Sequence, residues 1–359
     1  MKLYLAPLEG VTSYILRNAI AHHYGGFDRY FTPFITSATM NHREREDVDV
    51  AHNADIDLVP QIMSNNVEEF LDIAASIAKR GYETVNLNLG CPSKTVVGKK
   101  RGSGFLSVPD ELDAFLAEIY DRCPVGISVK TRLGMDDLSN WPEIVDIYKK
   151  YPMEELIIHP RVQKEFYKGT PHIDEFIYAC KQLQATQIPI CYNGDIVDIN
   201  SYKNLLEVLR ENDLENVTSV MIGRGAMALP MLARDIIKYE TENVMDNNVD
   251  TRTNNAINVV NSEDGGLVAY DQESVSDRFL SNDSEVKLLW TFHNEILDNY
   301  IEIMSGDTPT LYKMKELWVY WQVLFDSISD FKKIYKKILK AKKIDEYKAA
   351  VDYLRNVCS

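Results

Sequence analysis

The chain has 359 residues, 45% of them hydrophobic and 26% charged, with a formal net charge of −15. That balance belongs to a globular protein, and the length suits two domains or one large α/β barrel with an appendage. No run of about 18 apolar residues exists, which excludes a helical membrane span. Glu9 also comes too early for a signal peptide's apolar core, so the expected location is the cytoplasm, with no membrane partner.

Taken in chain order, "KLYLAP" reads as the first strand, followed by a helix from Ser13 to His22. "FDRYFTPF" and "DIDLVPQIM" come next, then a helix from Val67 to Lys79 in which Leu71, Ala74, Ala75 and Ala78 share one face. "TVNLNL", "PVGISVKTR", "ELIIHPR", "IPICYNGD" and "SVMIGRG" follow, most of them separated by helical spacing. These strands are near-continuous Val/Ile/Leu runs, as expected of a parallel sheet covered on both faces. Eight such units predict a (β/α)8 barrel over residues 1–240. The rival, a doubly wound sheet, would carry a Gly-rich turn after its first strand; the turn here is "APLEG".

From 241 to 285 the pattern dissolves into Asn, Asp, Ser and Glu. With Glu240 included, this stretch has 11 acidic and 2 basic residues. It has too little apolar surface to offset ordering entropy and is expected to be a mobile insertion. "INVV" and "LVAY" around "SEDGG" suggest a small hairpin within it. Helical periodicity returns over 286–359, where 12 basic residues meet 10 acidic ones. Near the end, Phe331, Ile334, Tyr335, Ile338 and Leu339 form one face. Lys332, Lys333, Lys336, Lys337, Lys340, Lys342 and Lys343 lie mostly on the other. Such a face is either merely solvated or tracks phosphates.

Five scattered cysteines without a CxxC pair predict neither a disulfide framework nor a zinc site, and no metal is expected. Cys123, Cys180 and Cys191 read as small buried residues. Cys91 differs, standing at a strand exit in "NLNLGCPSKTVVGKKRGSGFL".

Catalytic groups of a parallel barrel gather at the C-terminal strand ends. Those ends carry Pro7 and Glu9, Gln61, Asn88 then Cys91, Lys130 and Arg132, His159 and Arg161, Asn193 to Asp195, and Gly223–Arg224. Any one of these is unremarkable; seven successive ends aimed at one rim are not. The last two match the place where barrels bind phosphate. Gly223 permits close approach, Arg224 adds charge, and Asn193 and Gly194 supply N–H donors.

The motifs "APLEGVT", "VPQIM", the Gly-Cys-Pro-Ser-Lys block, "VKTRLG", "IIHPRVQKEFYKG", "YNGDI" and "VMIGRGA" together resemble the tRNA-dihydrouridine synthases, flavin-dependent reductases acting on uridine in tRNA. "APLEGV" is similar to the bacterial subgroup labelled C. The resemblance implies a barrel followed by a helical tRNA-binding domain (286–359), FMN as cofactor, NADPH as reductant, tRNA as partner and a monomer with no stable protein partner. It implies FMN contacts from Pro7, Leu8, Glu9, Gln61, Lys130, His159, Asn193, Gly194, Asp195, Gly223 and Arg224. It implies Cys91 as the acid that protonates C5 of uridine while hydride passes from FMN N5 to C6.

A thiol with an ordinary pKa of about 8.5 is mostly protonated at neutral pH and suits that task. Cations at Lys94, Lys99, Lys100 and Arg101 are expected to lower its pKa. Asn88, Lys94, Lys99, Arg101, Arg161 and Tyr167 are the expected RNA contacts. Gly98, Gly102 and Gly104 are read as hinges for a loop that opens and closes over a flipped base. The chain departs from the family's "HGRxxxQGY" at Pro160 and Glu165–Phe166. The alternatives are a flavin barrel enzyme acting on a free small molecule such as dihydroorotate, and a non-catalytic RNA binder.

Overall fold

The computed structural model describes residues 1–245 and 272–358. The β-strands are β1 (Lys2–Leu5), β2 (Arg29–Phe31), β3 (Leu58–Val59), β4 (Gln61–Ile62), β5 (Thr84–Leu89), β6 (Gly126–Gly134), β7 (Leu156–Val162), β8 (Ile190–Tyr192) and β9 (Val217–Ile222). All pair in parallel, in the order β3-β2-β1-β9-β8-β7-β6-β5-β4. The two ends of that order, β3 and β4, are one stretch interrupted by Pro60, which has no N–H to give a ladder. The stretch pairs with β2 through Leu58 and Val59 and with β5 through Gln61 and Ile62, so the sheet closes into an eight-position (β/α)8 barrel. Each of the eight predicted strands is present.

The barrel interior is layered. Tyr4, Ala6, Phe31, Val59, Ile157, Cys191 and Met221 form a buried apolar cluster. Beneath it the Glu155 carboxylate accepts from Tyr4 Oη (3.0 Å) and Ser219 Oγ (2.7 Å), and burial raises its pKa. Side chains alternate faces along a strand, so Ile157 places His159 and Arg161 on the inner face as well. Register then carries Lys130 (opposite Ile157), Asn88 (opposite Lys130) and Gln61 (opposite Asn86) to the same face. A polar belt thus tops an apolar plug.

Chain contacts divide the molecule into two compact units. The first comprises Met1–Tyr14, Phe27–Ile196 and Asn200–Gly223. The second takes Ile15–Gly26, Val197–Ile199 and the described residues from Arg224 onward. Residues 224–240, expected with the barrel, group with the second unit. That unit is helical, and its aromatic core includes Trp290, Trp318, Trp321 and Phe325. Within it Tyr347 Oη meets both His293 Nε2 and Trp318 Nε1 at 2.7 Å, and burial lowers the His293 pKa to about 4.

The polar stretch expected at 241–285 is helical at both ends, in Leu232–Met245 and in Gln272–Leu280 followed by Asp283–Ile303. The helix Gln272–Leu280 buries Val275, Ser276 and Phe279, so this end is packed. The proposed hairpin lies outside the described residues. In the helix Phe331–Lys340 the buried stripe is Phe331, Ile334 and Ile338; Leu339, expected inside, is 37% exposed. Cys180 and Cys191 are buried, while Cys123 is only half-buried.

Candidate active site

Cys91 follows β5 by two residues, and its backbone is held from several directions. Asn88 Oδ1 accepts the N–H groups of Gly90 (3.0 Å) and Cys91 (2.9 Å), while Asn88 Nδ2 donates to Gln61 Oε1 (2.7 Å). The Cys91 carbonyl accepts from Ser103 N–H (3.2 Å) and Oγ (2.8 Å). On either side, Gly90 O accepts from Arg132 Nε (2.9 Å) and Pro92 O from Gln163 Nε2 (2.9 Å). The buried Arg132 guanidinium also donates to Val162 O (3.0 Å) and Phe166 O (2.8 Å), tying the cysteine turn to the exit of β7.

Gly102 and Gly104 lie buried in the 3₁₀ turn Gly102–Ser107 rather than in an open hinge. At Gly102, with φ +55°, a Cβ would lie 2.9 Å from Cys91 O and 3.0 Å from Cys91 Cβ. At Gly104 it would meet Val97 O at 2.7 Å. Gly102 serves close packing against the cysteine turn and Gly104 against Val97, which corrects their reading as hinges.

The thiol's pKa is raised, chiefly by burial, with the Glu9 carboxylate adding to it. A backbone N–H at Ser93 and the charges of Arg132 and Lys130 oppose the rise. The cations expected to acidify it, Lys94 to Arg101, are not among the causes; burial outweighs those that are, and the sulfur stays protonated. Lys130 is lowered to about 8, first by burial and then by Arg132. Among the described residues its side-chain amine makes no hydrogen bond or ion pair.

Around this pair, Gln61 Nε2 donates to Asn86 Oδ1 (2.8 Å) and Asn86 Nδ2 to Ser128 Oγ (2.9 Å), a relay across three strands. His159 is 7% exposed and stacks on Tyr167, with ring centroids 6.0 Å apart. The Arg132 guanidinium sits 5.5 Å from the centre of the same tyrosine ring. Asn193 Nδ2 donates to Met221 O (2.8 Å). A Cβ at Gly194 would collide with the Tyr192 hydroxyl, so any larger residue there would displace that ring. At Gly223 a Cβ would stand 3.4 Å from Ala6 Cβ. Pro7 and Leu8 follow β1, with Leu8 N–H bound to Thr12 Oγ1 (2.8 Å). Arg224 opens the short helix Arg224–Ala228 after β9.

Several predicted contacts are engaged within the protein, among them Asn88, which is buried with its amide bonded to the cysteine turn and to Gln61. Arg161 is fully buried; it pairs with Asp195 through two bonds, one of 2.9 Å, and donates to Lys168 O and Gly169 O. It therefore shapes the β7 loop and is not displayed to RNA, and Asp195 is engaged with it. Arg101 donates to Glu69 Oε2 (2.6 Å) and Asn65 Oδ1 (3.2 Å). Glu9 is exposed and paired with Arg43 (2.7 Å). Lys94 and Lys99 are exposed, as an RNA contact requires.

Comparison with known proteins decides the family. Residues 4–264 match the family model described as dihydrouridine synthase (Dus). The chain belongs to the dihydrouridine synthase family. Membership makes it an oxidoreductase. It is 30% identical over 235 residues to tRNA-dihydrouridine synthase B of Pasteurella multocida (strain Pm70), covering 65% of this chain and 68% of the relative. Probable tRNA-dihydrouridine synthase 2 of Bacillus subtilis (strain 168) is 30% identical over 236 residues, 63% and 69% respectively. The tRNA-dihydrouridine(16) synthase of Cupriavidus necator is 28% identical over 242 residues, 65% and 72%.

This chain carries its own version of the loop after β7. Glu165 binds Val162 N–H (2.7 Å) and His172 Nε2 (2.6 Å), and Pro160 O accepts His172 N–H (2.7 Å). Phe166 takes φ +52° and ψ −94°, a strained turn held by those anchors. Reasoning from strand ends assigns no role at the site to Asn86, Ser103 or Gln163 and leaves that of Arg132 open. Arg132 and Asn86 were detectable, each standing two residues from a chosen residue on the same strand face; Ser103 stands in the cysteine motif block itself, 12 residues from Cys91, while Gln163 reaches Pro92 across 71 residues. Because Asn88 holds the cysteine turn, Asn88→Ala should slow dihydrouridine formation about tenfold or more and lower stability by about 1–3 kcal/mol, read by single-turnover rates and thermal melts.

Proposed function

We propose that this chain reduces the C5–C6 double bond of a uridine in tRNA to 5,6-dihydrouridine, with FMN at the barrel rim and NADPH as reductant. The observation that carries the reading is Cys91: a thiol kept protonated, fixed at a strand exit, and within electrostatic reach of an unpartnered Lys130. FMN suits this donor set. A half-buried ammonium without an anion fits the electron-rich edge of a flavin, and the Gln61 carboxamide keeps one N–H and one lone pair beyond its bonds to Asn86 and Asn88 for the pyrimidine edge. When bound and reduced, the flavin supplies hydride to C6 of the uridine.

The protein's own part is positional and acid–base. Lys130, Gln61, His159 and Asn193 would hold the cofactor. Cys91 Sγ would give its proton to C5 and regain one from solvent, since carbon protonation needs a placed acid. Asn88, Ser103, Arg132 and Gln163 keep that sulfur in one position. The uridine must leave the tRNA stack to reach it, with Lys94 and Lys99 on the RNA backbone.

The exposed lysines of Phe331–Lys340 are proposed to follow tRNA phosphates. A cleft of about 610 Å³ is lined there by Lys336, Lys337, Lys340 and Tyr353, with Lys337 Nζ 5.7 Å from the tyrosine ring centre. The triple variant Lys336→Gln/Lys337→Gln/Lys340→Gln should weaken tRNA binding and flatten its log–log salt slope by about one unit for each phosphate no longer neutralised. Filter binding across a salt series measures this. The subgroup likeness of "APLEGV" is not strengthened by the relatives, since those labelled B and (16) stand at 30% and 28% identity.

The deciding experiment incubates the full chain with FMN, NADPH and unmodified tRNA, then maps dihydrouridine by mass spectrometry. Product in tRNA and none from free uridine supports the proposal. Flavin reduction with no tRNA product, or equal turnover of free pyrimidines, refutes it.

A further inference from the structure

Away from the reductive chemistry, the helical unit holds three metal-ligating side chains with their donor atoms together. His22 and His23 are the last residues of the helix Tyr14–His23. The helix closes there: Tyr24 N–H and Gly25 N–H both bond to Ile20 O (3.0 and 2.9 Å), and Gly25 takes φ +63°. Two consecutive imidazoles converge at this end, with ring centroids 5.0 Å apart. They meet one carboxylate from the helix Asp283–Ile303: Glu295 Oε2 lies 3.0 Å from His22 Nδ1 and 2.7 Å from His23 Nε2. The three donor atoms all lie within 4.8 Å of one another.

We infer that His22, His23 and Glu295 form a binding site for a divalent cation of the zinc class. Ligand atoms at about 2.0–2.1 Å from a tetrahedral zinc stand about 3.3 Å apart. The present His–Glu separations therefore need to open by only roughly 0.3–0.6 Å to admit one. The donor set selects the ion: two imidazoles and one carboxylate suit zinc, cobalt and nickel, whereas magnesium and calcium call for oxygen ligands. His23 is 15% exposed and set against the edge of Phe292 (6.0 Å, 77°), so its ring direction is fixed before any ion arrives. The His22 side chain is 74% exposed, which leaves water access for a fourth ligand and a path for entry. None of the three residues has a part in the proposed reduction. An ion here would tie the helix from the start of the chain to one near its end. The site was invisible in sequence because its histidines and its carboxylate stand 272 positions or more apart.

The test uses the full chain, stripped with a chelator and titrated with zinc chloride against a chromogenic competitor. One equivalent should bind, magnesium should not compete, and the melting temperature should rise by a few degrees. Cobalt substitution should give a d–d spectrum without a thiolate charge-transfer band, separating this site from the five cysteines. His22→Ala changes an exposed residue, and Glu295→Gln keeps shape; each should weaken zinc binding tenfold or more with an unchanged circular dichroism spectrum. Zinc affinity unaltered in both variants, a thiolate band accounting for the bound cobalt, or no preference for zinc over magnesium would overturn the assignment.

Discussion

Replacing Cys91 by Ala should leave a folded, flavin-binding protein that still consumes NADPH in the reductive half-reaction, while dihydrouridine formation in tRNA falls about 10²- to 10⁴-fold. What decides this is where the thiol sits and in what state. Four side chains fix the backbone of residues 90–92, so truncating the sulfur removes the acid without loosening the turn. Burial holds the thiol protonated beyond the ordinary value of about 8.5. A step that consumes that proton therefore stays level through neutral pH and declines only on the alkaline side. Cys91→Ser separates shape from acidity: a hydroxyl fills similar space but is a far weaker acid, so it should rescue little. Rapid-mixing measurement of oxidation by tRNA, beside reduction by NADPH, resolves the two halves. An oxidative half-reaction as fast in Cys91→Ala as in the parent would remove Cys91 from the mechanism.

Lys130→Met should act in opposite directions on stability and on cofactor binding. The amine's pKa is lowered from 10.5 to about 8, mainly because burial penalises its charge. Between these two values the unfolded chain binds the proton more readily than the folded one. This group's contribution to stability therefore rises with pH from about 8 to about 10.5 and is fully unfavourable below about 8. At pH 7 the charged lysine is therefore destabilising, by an amount on the order of a few kcal/mol at most. Methionine carries no such penalty, so the ligand-free variant should melt several degrees higher at pH 7, and the difference should vanish above pH 10.5. The same substitution should weaken FMN binding about 10- to 150-fold, the worth of one charge-assisted hydrogen bond. In the parent, flavin affinity should drop above pH 8, where binding must take up a proton. Calorimetry at pH 7 and 9.5, with melts of both proteins, tests each sign. A variant that is less stable at pH 7 and binds FMN as tightly would show that Lys130 is not poised for the cofactor.

The barrel was legible because its strands are buried on both faces and so declare themselves as unbroken apolar runs bounded by polar exits. Its closure through the Pro60 interruption was not, since a break in one ladder leaves no mark in periodicity. For the site, residue types at strand ends pointed to the right rim. What they could not convey is whether a polar group is already engaged. Arg161 finds Asp195 from 34 residues away and Arg101 finds Glu69 from 32, so both cations read as available when neither is. Gly102 shows the same limit: a glycine chosen for tight contact and one chosen for motion are the same letter. At 241–285 composition alone did not separate a packed helix end from a loop.

The assignment of Ile15–Gly26 to the helical unit has a practical result. No single scission separates the two halves of this molecule cleanly. A fragment beginning at Arg224 would lack the N-terminal helix that its own core includes, and the complementary fragment would carry that helix with its apolar side stripped. Fragment complementation, circular permutation or proteolytic nicking near residue 224 should therefore yield pieces that aggregate separately and regain solubility only when mixed.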